Sequence, residues 1–273
     1  MTQIAFIGGG NMARSLIGGL LETGRDAGSI QVAEPSSAAR EALARDLGVT
    51  CHADNAVAAT GADVVVLAVK PQVMPAIRDG LREVLLAQRP LLVSIAAGVR
   101  IDQLERWFGA LPIVRCMPNT PALIGAGATG LCANSAVDAA QKARAQAILG
   151  AAGLTRWIDD EALMDAVTAL SGSGPAYFFA LVEAMEAAGV AQGLSRDDAR
   201  ALAAQTCLGA GRMLVESGED AGTLRQRVTS PNGTTQAALE SFAADDLAAI
   251  VARAMEAARR RGGELAASLD LPT

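Results

Sequence analysis

In the first half of the chain, short runs of apolar residues alternate with longer segments of helical periodicity. The runs at Ile4–Ile7 and Ile30–Ala33 are each followed by a helical pattern, at Met12–Glu22 and Ala38–Leu47. Strands that are apolar at every position are typical of a parallel sheet covered on both faces. The βαβ order predicts a doubly wound α/β domain. Further strands of this type are predicted at Val64–Val69, Leu91–Ile95 and Ile113–Met117.

The pattern changes near Thr155–Ile158, the last segment with a strand signal. From Ala162 to Leu269 the apolar positions recur at helical spacing, so the second half is predicted to be all helical. We therefore expect a sheet domain over residues 1–158 and an all-α domain over residues 159–273. An Ala-rich helical region of this size commonly packs against a copy of itself, which predicts a dimer. Helix breaks are expected at 171–175, Gly193, Gly218 and 230–233.

Composition and charge exclude several classes of protein. No apolar run reaches the roughly 18 residues of a membrane span, so no membrane partner is expected. The net charge of −6 argues against a nucleic-acid partner, and the one basic run, Arg259-Arg260-Arg261, is better explained as a solvated or helix-end cluster. The four cysteines have neither CxxC spacing nor neighbouring histidines, which predicts free thiols and no metal site. The chain enters a strand at once without a secretory pattern, so we expect a cytoplasmic protein.

The segment Gly8-Gly9-Gly10-Asn11-Met12-Ala13 is a GxGxxA motif between the first strand and the first helix. In this context Gly8 allows a tight turn and Gly10 lets the backbone approach a pyrophosphate. The helix N-terminus adds unpaired N–H groups and partial positive charge. The motif predicts a Rossmann-like dinucleotide-binding domain. The expected contacts at the loop are Ile7, Gly8, Gly10, Asn11 and Met12.

The end of the second strand, where such folds bind the adenosine ribose, carries two conflicting signals. Glu34 favours NADH, because its carboxylate can accept hydrogen bonds from a free 2′-hydroxyl and would repel a 2′-phosphate. Ser36, Ser37 and Arg40 favour NADPH, because they can donate to that phosphate. The serines can equally serve only as caps of the next helix. The sequence leaves this choice open.

The chain is poor in acid/base residues, with His52 as its one histidine and Tyr177 as its one tyrosine. A lactate-type dehydrogenase needs a histidine base, and His52 is better explained as a surface or loop residue near the adenosine side. A short-chain dehydrogenase needs Tyr and Lys four residues apart, but Leu181 follows Tyr177 at that distance. Lys70, after a strand and before a proline, is predicted to contact the cofactor or anchor a loop rather than to catalyse.

Four segments occur in a specific order and spacing: AVKPQ at 68–72, RCMPNTP at 115–121, SGSGPAY at 171–177 and SPNGTT at 230–235. With the glycine loop, they closely resemble the pyrroline-5-carboxylate reductase family over nearly the whole chain. The resemblance implies reduction of 1-pyrroline-5-carboxylate to L-proline, the final step of proline biosynthesis. It also implies NADPH as cofactor, with NADH as the alternative, and a homodimer or a larger ring of dimers whose helical domains interlock.

Matching positions carry the family's site residues onto this chain. The resemblance assigns Ser230, Gly233, Thr234 and Thr235 to the substrate, with Thr235 as the catalytic hydroxyl and Glu161 as a substrate-proximal carboxylate. A turn that leads into a helix presents outward N–H groups, which suits the substrate's carboxylate. Where the family usually has glycine this chain has Asn232, which leaves substrate breadth open. The cofactor positions implied beyond the glycine loop are Asn55, Ala68, Val69, Lys70, Pro71, Ser94, Ala96 and Ala97.

Three other functions compete with this one. A β-hydroxyacid dehydrogenase normally has a lysine in its second domain, and this chain has none after Lys142. A redox sensor would bind the dinucleotide without turnover and would not need the Ser230–Thr235 segment. An imine reductase for a six-membered ring is not excluded by the sequence.

Overall fold

The computed structural model describes residues 1–269, which form two compact units. The first comprises residues 1–173 and the chain from Ala258 onward, and the second comprises residues 174–257. The strands are β1 (Ile4–Ile7), β2 (Ile30–Ala33), β3 (Thr50–His52), β4 (Val64–Leu67), β5 (Leu91–Ser94), β6 (Ile113–Met117), β7 (Gly127–Ala133) and β8 (Gly153–Trp157). The helices are α1 (Asn11–Glu22), α2 (Ser37–Leu47), α3 (Asn55–Ala59), α4 (Met74–Gln88), α5 (Ile101–Phe108), α6 (Ala139–Gly150), α7 (Met164–Val167), α8 (Gly174–Ala191), α9 (Arg196–Glu216), α10 (Ala221–Arg227), α11 (Thr234–Ala244) and α12 (Leu247–Ser268).

The first unit is built on one eight-stranded sheet of order β3-β2-β1-β4-β5-β6-β7-β8. Strand β1 pairs in parallel with both β2 and β4, which places Ile7 level with Ala33 and Leu67. The strand order reverses between β1 and β4, and open α/β sheets bind ligands beyond the carboxyl ends of their strands at such a point. The predicted doubly wound Rossmann-like fold is confirmed.

The sheet departs from the predicted strands at β7. This strand was not predicted, and it runs antiparallel to β6 while pairing in parallel with β8. Its sequence, GATGLCA, is rich in small residues and has no run of β-branched ones. Pairing with its neighbours, rather than local propensity, therefore makes this segment a strand. The sheet is consequently mixed and not wholly parallel.

Both faces of the sheet are covered, which explains why its predicted strands are mostly apolar. In β1, Ile4 and Phe6 join one apolar cluster and Ala5 and Ile7 join another. All four side chains are at most 1% exposed. Because successive side chains of a strand point to opposite faces, such burial requires packing on both sides of the sheet.

The second unit is all helical, as predicted. Its helices break where the sequence indicates: Gly193 adopts φ +103° after α8, Gly218 adopts φ +72° after α9, and a turn at 230–233 precedes α11. Helix α9 begins after Ser195, whose hydroxyl accepts a hydrogen bond from the N–H of Asp198. The predicted break at 171–175 differs, because residues Thr168–Gly172 form a π-helical turn that leads directly to α8.

The first compact unit extends to residue 173, past the 158/159 boundary expected between the functional domains. Residues 159–173 belong to the first unit because they pack on the sheet. Met164 is fully buried in a cluster with sheet residues, and a Cβ on Gly130 of β7 would lie 2.7 Å from Val167. The last part of α12 also belongs to the first unit, where the carbonyl of Ala266 accepts a hydrogen bond from the Gln103 side chain. Within residues 1–269, no helix combines the length and the hydropathy needed to span a membrane.

Candidate active site

The glycine loop follows β1 and is shaped by close backbone contacts. Gly8 adopts φ +102°, and a Cβ there would lie 2.8 Å from the carbonyl oxygen of Ala68. Its N–H donates to the carbonyl of Ala33 at 2.8 Å, which ties the loop to β2. Gly10 caps α1, and a Cβ at this position would meet no protein atom within 4 Å. The loop is therefore closed at Gly8 and open at Gly10, as a pyrophosphate-binding turn requires.

A cavity of about 370 Å³ opens at the carboxyl ends of β1, β2 and β4. Its position at the reversal of strand order, beside an α-helix N-terminus, fits the pyrophosphate and adenosine ribose of a dinucleotide. The predicted cofactor residues that it brings together are Gly8, Gly10, Glu34, Asn55, Ala68, Val69 and Lys70. The lining residues that were not predicted as contacts are Gly9, Ala33, Pro35, Ala53, Val73 and Ile77.

The position of Ala53 could have been found from the sequence. It follows β3 and precedes Asn55, so it lies at a strand end like the other expected contacts. Val73 and Ile77 carry no comparable signal, because an apolar residue in the first turns of a helix usually faces the core. They line the cavity because the chain turns sharply after Lys70, through the short 3₁₀ segment Pro71–Val73.

Eight predicted cofactor residues lie outside the lining of this cavity. Ile7 is fully buried within β1, and Ser94 is fully buried at the end of β5. The Ser94 hydroxyl accepts a hydrogen bond of 3.4 Å from the N–H of Ala96 and so braces its own strand end. Their assignment to the cofactor stays a prediction, as it does for Asn11, Met12, Ser36, Pro71, Ala96 and Ala97.

At the end of β2, backbone N–H groups hold the carboxylate of Glu34. Its Oε2 accepts from Gly9 at 3.1 Å and its Oε1 accepts from Ser36 at 3.0 Å. The Ser36 hydroxyl caps α2 by accepting from the N–H of Ala39. Arg40 donates from Nη1 to the carbonyl oxygens of Glu34 at 2.7 Å and Pro35 at 2.8 Å. Glu34 therefore presents a fixed negative charge at the cavity.

In the second unit, the predicted substrate segment is a tight turn that begins α11. The N–H of Gly233 donates to the carbonyl of Ser230 at 3.0 Å, and Gly233 is the N-cap residue of α11. Asn232 adopts φ +57° and its N–H donates to Gln236 Oε1 at 2.8 Å. The first N–H groups of a helix have no intrahelical acceptor. The turn therefore offers outward donors at a positive helix end, which suits a carboxylate.

Thr235 lies in the first turn of α11 and is half-buried. Among the residues that the structure describes, its hydroxyl has no hydrogen-bond partner, and the same is true of Thr234. A threonine hydroxyl both donates and accepts, so Thr235 is free to bind a ligand at the helix N-terminus.

Glu161 lies in the first unit, where it pairs with a buried cation. Arg115 of β6 is 4% exposed, and its Nη1 lies 2.9 Å from Glu161 Oε1. The same oxygen accepts from the N–H of Ile101 at 2.8 Å, and Asp165 lies 3.6 Å from Arg115 Nη2. Arg115 was not predicted as a site residue, because its strand has the composition of an ordinary core strand. An arginine within such a run is itself a signal of a buried partner.

The thiols and carboxylates form no metal centre in the described part of the chain, where no group of three or more ligand side chains is suitably placed. The four cysteines are free, as predicted, and Cys116 and Cys132 are buried. Burial raises the pKa of the Cys116 thiol far above its ordinary range, and burial is also the main cause of the raised pKa of Cys132. Both thiols are therefore protonated and unreactive at neutral pH.

Two family models match separate parts of this chain. The family described as "Pyrroline-5-carboxylate reductase dimerisation" matches residues 161–265, and the family described as "NADP oxidoreductase coenzyme F420-dependent" matches residues 3–98. The pyrroline-5-carboxylate reductase of Pseudomonas aeruginosa is 51% identical over 268 residues, which cover 98% of each chain.

Two solved structures match over nearly their full length. The pyrroline-5-carboxylate reductase of Coxiella burnetii has a TM-score of 0.94 and 42% identity, with 97% of this chain and 98% of that chain covered. The pyrroline carboxylate reductase of Plasmodium falciparum, solved with NADP bound, has a TM-score of 0.84 and 30% identity at the same coverage. The chain therefore belongs to the pyrroline-5-carboxylate reductase family.

Proposed function

We propose that this chain reduces 1-pyrroline-5-carboxylate to L-proline with a reduced nicotinamide dinucleotide. The observation that carries the proposal is the match to the Pseudomonas aeruginosa pyrroline-5-carboxylate reductase, which covers 98% of each chain. That span includes both the cavity at the glycine loop and the Ser230–Thr235 turn. NADPH is the proposed cofactor, with NADH as the alternative. A cytoplasmic location is part of the same proposal.

The cofactor, when bound, supplies a hydride to the ring carbon of the substrate's C=N bond. The protein's tasks are then to hold the dinucleotide, to orient the imino acid and to exclude competing geometries. In the first unit, the open side of Gly10 and the N-terminus of α1 would hold the pyrophosphate, since they combine free N–H donors with a positive helix end. Lys70 lines the same cavity and adds a flexible positive charge.

The Ser230–Thr235 turn would hold the substrate's carboxylate. Helix α11 has 11 residues, long enough for a positive N-terminal end, and Thr234 and Thr235 occupy its first turn. The hydroxyl of Thr235 would then face the ring nitrogen and orient it or relay a proton from water. An imine nitrogen takes its proton readily from solvent, so the reaction requires no titrating histidine or lysine of the protein. Glu161 is assigned to the substrate's surroundings by resemblance, and its bond to Arg115 fixes its position.

Residues 1–158 are proposed as the dinucleotide-binding domain and residues 159–273 as the substrate-binding and dimerisation domain. The apolar surface of the second unit supports a homodimer or a larger homo-oligomer. The buried apolar side chains of this unit are Ala199, Ala203 and Leu224, whereas Phe178 and Phe179 are 58% and 68% exposed. A helical unit with so small a core is stabilised by burying its apolar faces on another chain. Light scattering that detects only monomer would contradict this part of the proposal.

The activity is tested with purified protein, racemic 1-pyrroline-5-carboxylate and either NADPH or NADH. We expect loss of the reduced-nicotinamide absorbance and formation of L-proline in equal molar amounts. A parallel reaction with the six-membered cyclic imino acid measures selectivity for ring size. A protein that is folded and binds the dinucleotide but produces no proline with either cofactor would overturn the proposal.

A further inference from the structure

We infer that Asn119 is a positioning residue for the proposed reaction, because its side chain holds a π-helical turn beside the expected place of the cofactor's nicotinamide. The inference rests on the proposed function, since it concerns the reacting end of the dinucleotide. Asn119 lies two residues after β6, within the RCMPNTP segment, and is 9% exposed. The π-helical turn, Thr168–Gly172, overlaps the SGSGPAY segment. One side chain therefore joins two of the segments on which the family resemblance depends.

The carbonyl oxygen of Ser171 needs a donor from outside its own helix. In a regular α-helix this oxygen would accept from the N–H four residues later, but that residue is Pro175, which has no N–H. The Nδ2 atom of Asn119 donates to the oxygen at 3.0 Å. A carbonyl that is partly shielded from water is costly to leave unpaired. The amide of Asn119 therefore stabilises the turn at the point where the helical hydrogen bonding is interrupted.

The Oδ1 atom of the same amide fixes the connection between β6 and β7. It accepts from the N–H of Ala128, the second residue of β7, at 2.9 Å. Within the turn, the N–H of Ser173 donates to the carbonyl of Thr168 at 2.8 Å, which is the five-residue bond of a π-helix. Asn119 thus donates to one segment and accepts from another. An ionised carboxylate only accepts, so it cannot make both bonds.

The π-helical turn lies against the carboxyl end of β6. A Cβ on Gly172 would lie 2.6 Å from the Cε atom of Met117, the last residue of that strand. Strands β4, β5 and β6 are consecutive and parallel. A doubly wound sheet binds one half of a dinucleotide on each side of the reversal of strand order. With the adenosine end at β1 and β2, the nicotinamide would extend over the ends of β5 and β6.

The rate of hydride transfer depends on the distance and alignment of the two reacting carbons. Loss of the bond from Asn119 to Ser171 would free the π-helical turn and, through Gly172, the side chain of Met117 that it contacts. The surface beside the nicotinamide would then change, whereas the glycine loop and the end of β2 would not. The effect on the cofactor is therefore expected at one end only.

The test compares NADPH with 2′-phospho-ADP-ribose, which has the same adenosine end and lacks nicotinamide. Isothermal titration calorimetry gives the dissociation constant of each ligand for the wild type, Asn119→Ala, Asn119→Asp and Asn134→Ala. Asn119→Asp keeps the acceptor for Ala128 and removes the donor to Ser171. Because this variant retains the size of the side chain, it serves as the second test if Asn119→Ala folds poorly.

Asn134 is a matched control at the opposite end of β6. Its Oδ1 accepts from the N–H of Ile113, the first residue of the strand, at 3.1 Å. Its Nδ2 donates to the carbonyl of Leu111 and to Glu105 Oε1, each at 2.9 Å. Asn134→Ala therefore removes a similar set of bonds at the amino end of the strand, far from the expected cofactor.

We expect both Asn119 variants to raise the ratio of the NADPH dissociation constant to that of 2′-phospho-ADP-ribose by about fivefold. At saturating NADPH and imino acid, kcat should fall by about tenfold or more. Asn134→Ala should leave the ratio and kcat within about twofold of the wild type, even where its Tm falls as far as that of Asn119→Ala. A merely structural role of Asn119 would lower Tm without changing the ratio.

A ratio within about twofold of the wild type in both Asn119 variants overturns the inference. An equal change of the ratio in Asn119→Ala and Asn134→Ala also overturns it. The proline assay separates these outcomes from failure of the proposed function. Proline formation by the wild type with an unchanged ratio in the variants contradicts only the role of Asn119. The expected shift of the ratio without proline formation by the wild type contradicts only the proposed reaction.

Discussion

The ion pair between Arg115 and Glu161 provides the sharpest test of how the first unit is held together. Arg115 is almost fully buried, and Glu161 Oε1 accepts both from its guanidinium and from the N–H of Ile101. In Glu161→Ala both donors lose this acceptor. The variant therefore leaves a buried cation with Asp165 as its remaining carboxylate partner in the described structure, at 3.6 Å.

The magnitude follows from the burial of the two partners. Removing one member of a buried ion pair costs about 3 to 5 kcal/mol, because the other charge stays desolvated. The Glu161 side chain is 29% exposed, so water can reach the guanidinium in the variant and the cost falls toward the lower limit. We expect Glu161→Ala to lower the free energy of unfolding by about 3 kcal/mol. For a chain of this size that corresponds to a fall in Tm of roughly 6 to 12 °C.

Thermal unfolding by circular dichroism, at one fixed protomer concentration, measures the effect. Glu161→Gln keeps one acceptor, so the free energy of unfolding should fall by about half as much as in Glu161→Ala. Asp165→Asn removes the charge of the more distant carboxylate and should lower it by less than about 1 kcal/mol. The variant Arg115→Met removes the buried charge together with its need for a partner. In that background Glu161→Ala should cost only about 1 kcal/mol, because the N–H of Ile101 still loses its acceptor while no buried cation is left unpaired.

A Glu161→Ala variant that melts within about 2 °C of the wild type would refute this reasoning, as would full additivity with Arg115→Met. The same variants test the assignment of Glu161 to the substrate's surroundings. A rise in KM for the imino acid in Glu161→Gln, larger than the rise in Asp165→Asn, supports that assignment. Equal values of KM in the two variants contradict it.

Three further predictions concern the turn before α11 and the buried thiols. Thr235→Ala should lower kcat about tenfold or more and leave the dissociation constant of NADPH nearly unchanged. Thr235→Ser, which keeps the hydroxyl, should retain most of the activity. Equal losses in turnover and in cofactor binding would show that the role of Thr235 is structural. Asn232 adopts φ +57°, a left-handed conformation that alanine disfavours and glycine tolerates. In denaturant unfolding, Asn232→Ala should therefore lower the free energy of unfolding by about 1 kcal/mol and Asn232→Gly by less. Equal losses in the two variants would contradict left-handed strain as the cause. Cys116 and Cys132 are at most 2% exposed and their thiols have raised pKa values. At neutral pH a thiol reagent should therefore label them only after unfolding, as peptide mass spectrometry would detect. Labelling in the folded protein at the rate of a free thiol would contradict their burial.

The sheet domain was predicted correctly where each strand carries its own signal. The strands β1, β2, β4, β5 and β6 are mostly apolar because both faces of the sheet are covered, so their sequences alone indicate buried strands. The sequence of strand β7 contains no such apolar run. Its residues are mostly small, and it becomes a strand through antiparallel pairing with β6 and parallel pairing with β8. Pairing between distant segments is a tertiary property that no local window contains.

Some parts of the candidate sites could likewise be located from the sequence, and others could not. The GxGxxA loop could be located from the sequence because its function depends on local backbone geometry, namely positive φ at Gly8 and open space at Gly10. The turn at 230–233 was located for a similar reason, since proline and glycine terminate helices wherever they occur. The partnership of Arg115 with Glu161 was not predicted, because 46 residues separate the two side chains.

The sequence by itself determined that an α/β sheet domain is followed by an all-helical domain, because these classes differ in the periodicity of their apolar residues. It also determined the position of the phosphate loop and the family, which depend on turn residues and on motifs in a fixed order. It left the choice between NADH and NADPH open, because Glu34 favours NADH whereas Ser36, Ser37 and Arg40 favour NADPH. The tertiary structure decided where those side chains lie: Glu34 is fixed at the cavity by Gly9 and Ser36, and Arg40 is engaged by backbone carbonyls. Such side-chain positions depend on hydrogen bonds between segments that only folding brings together, so composition and spacing cannot specify them.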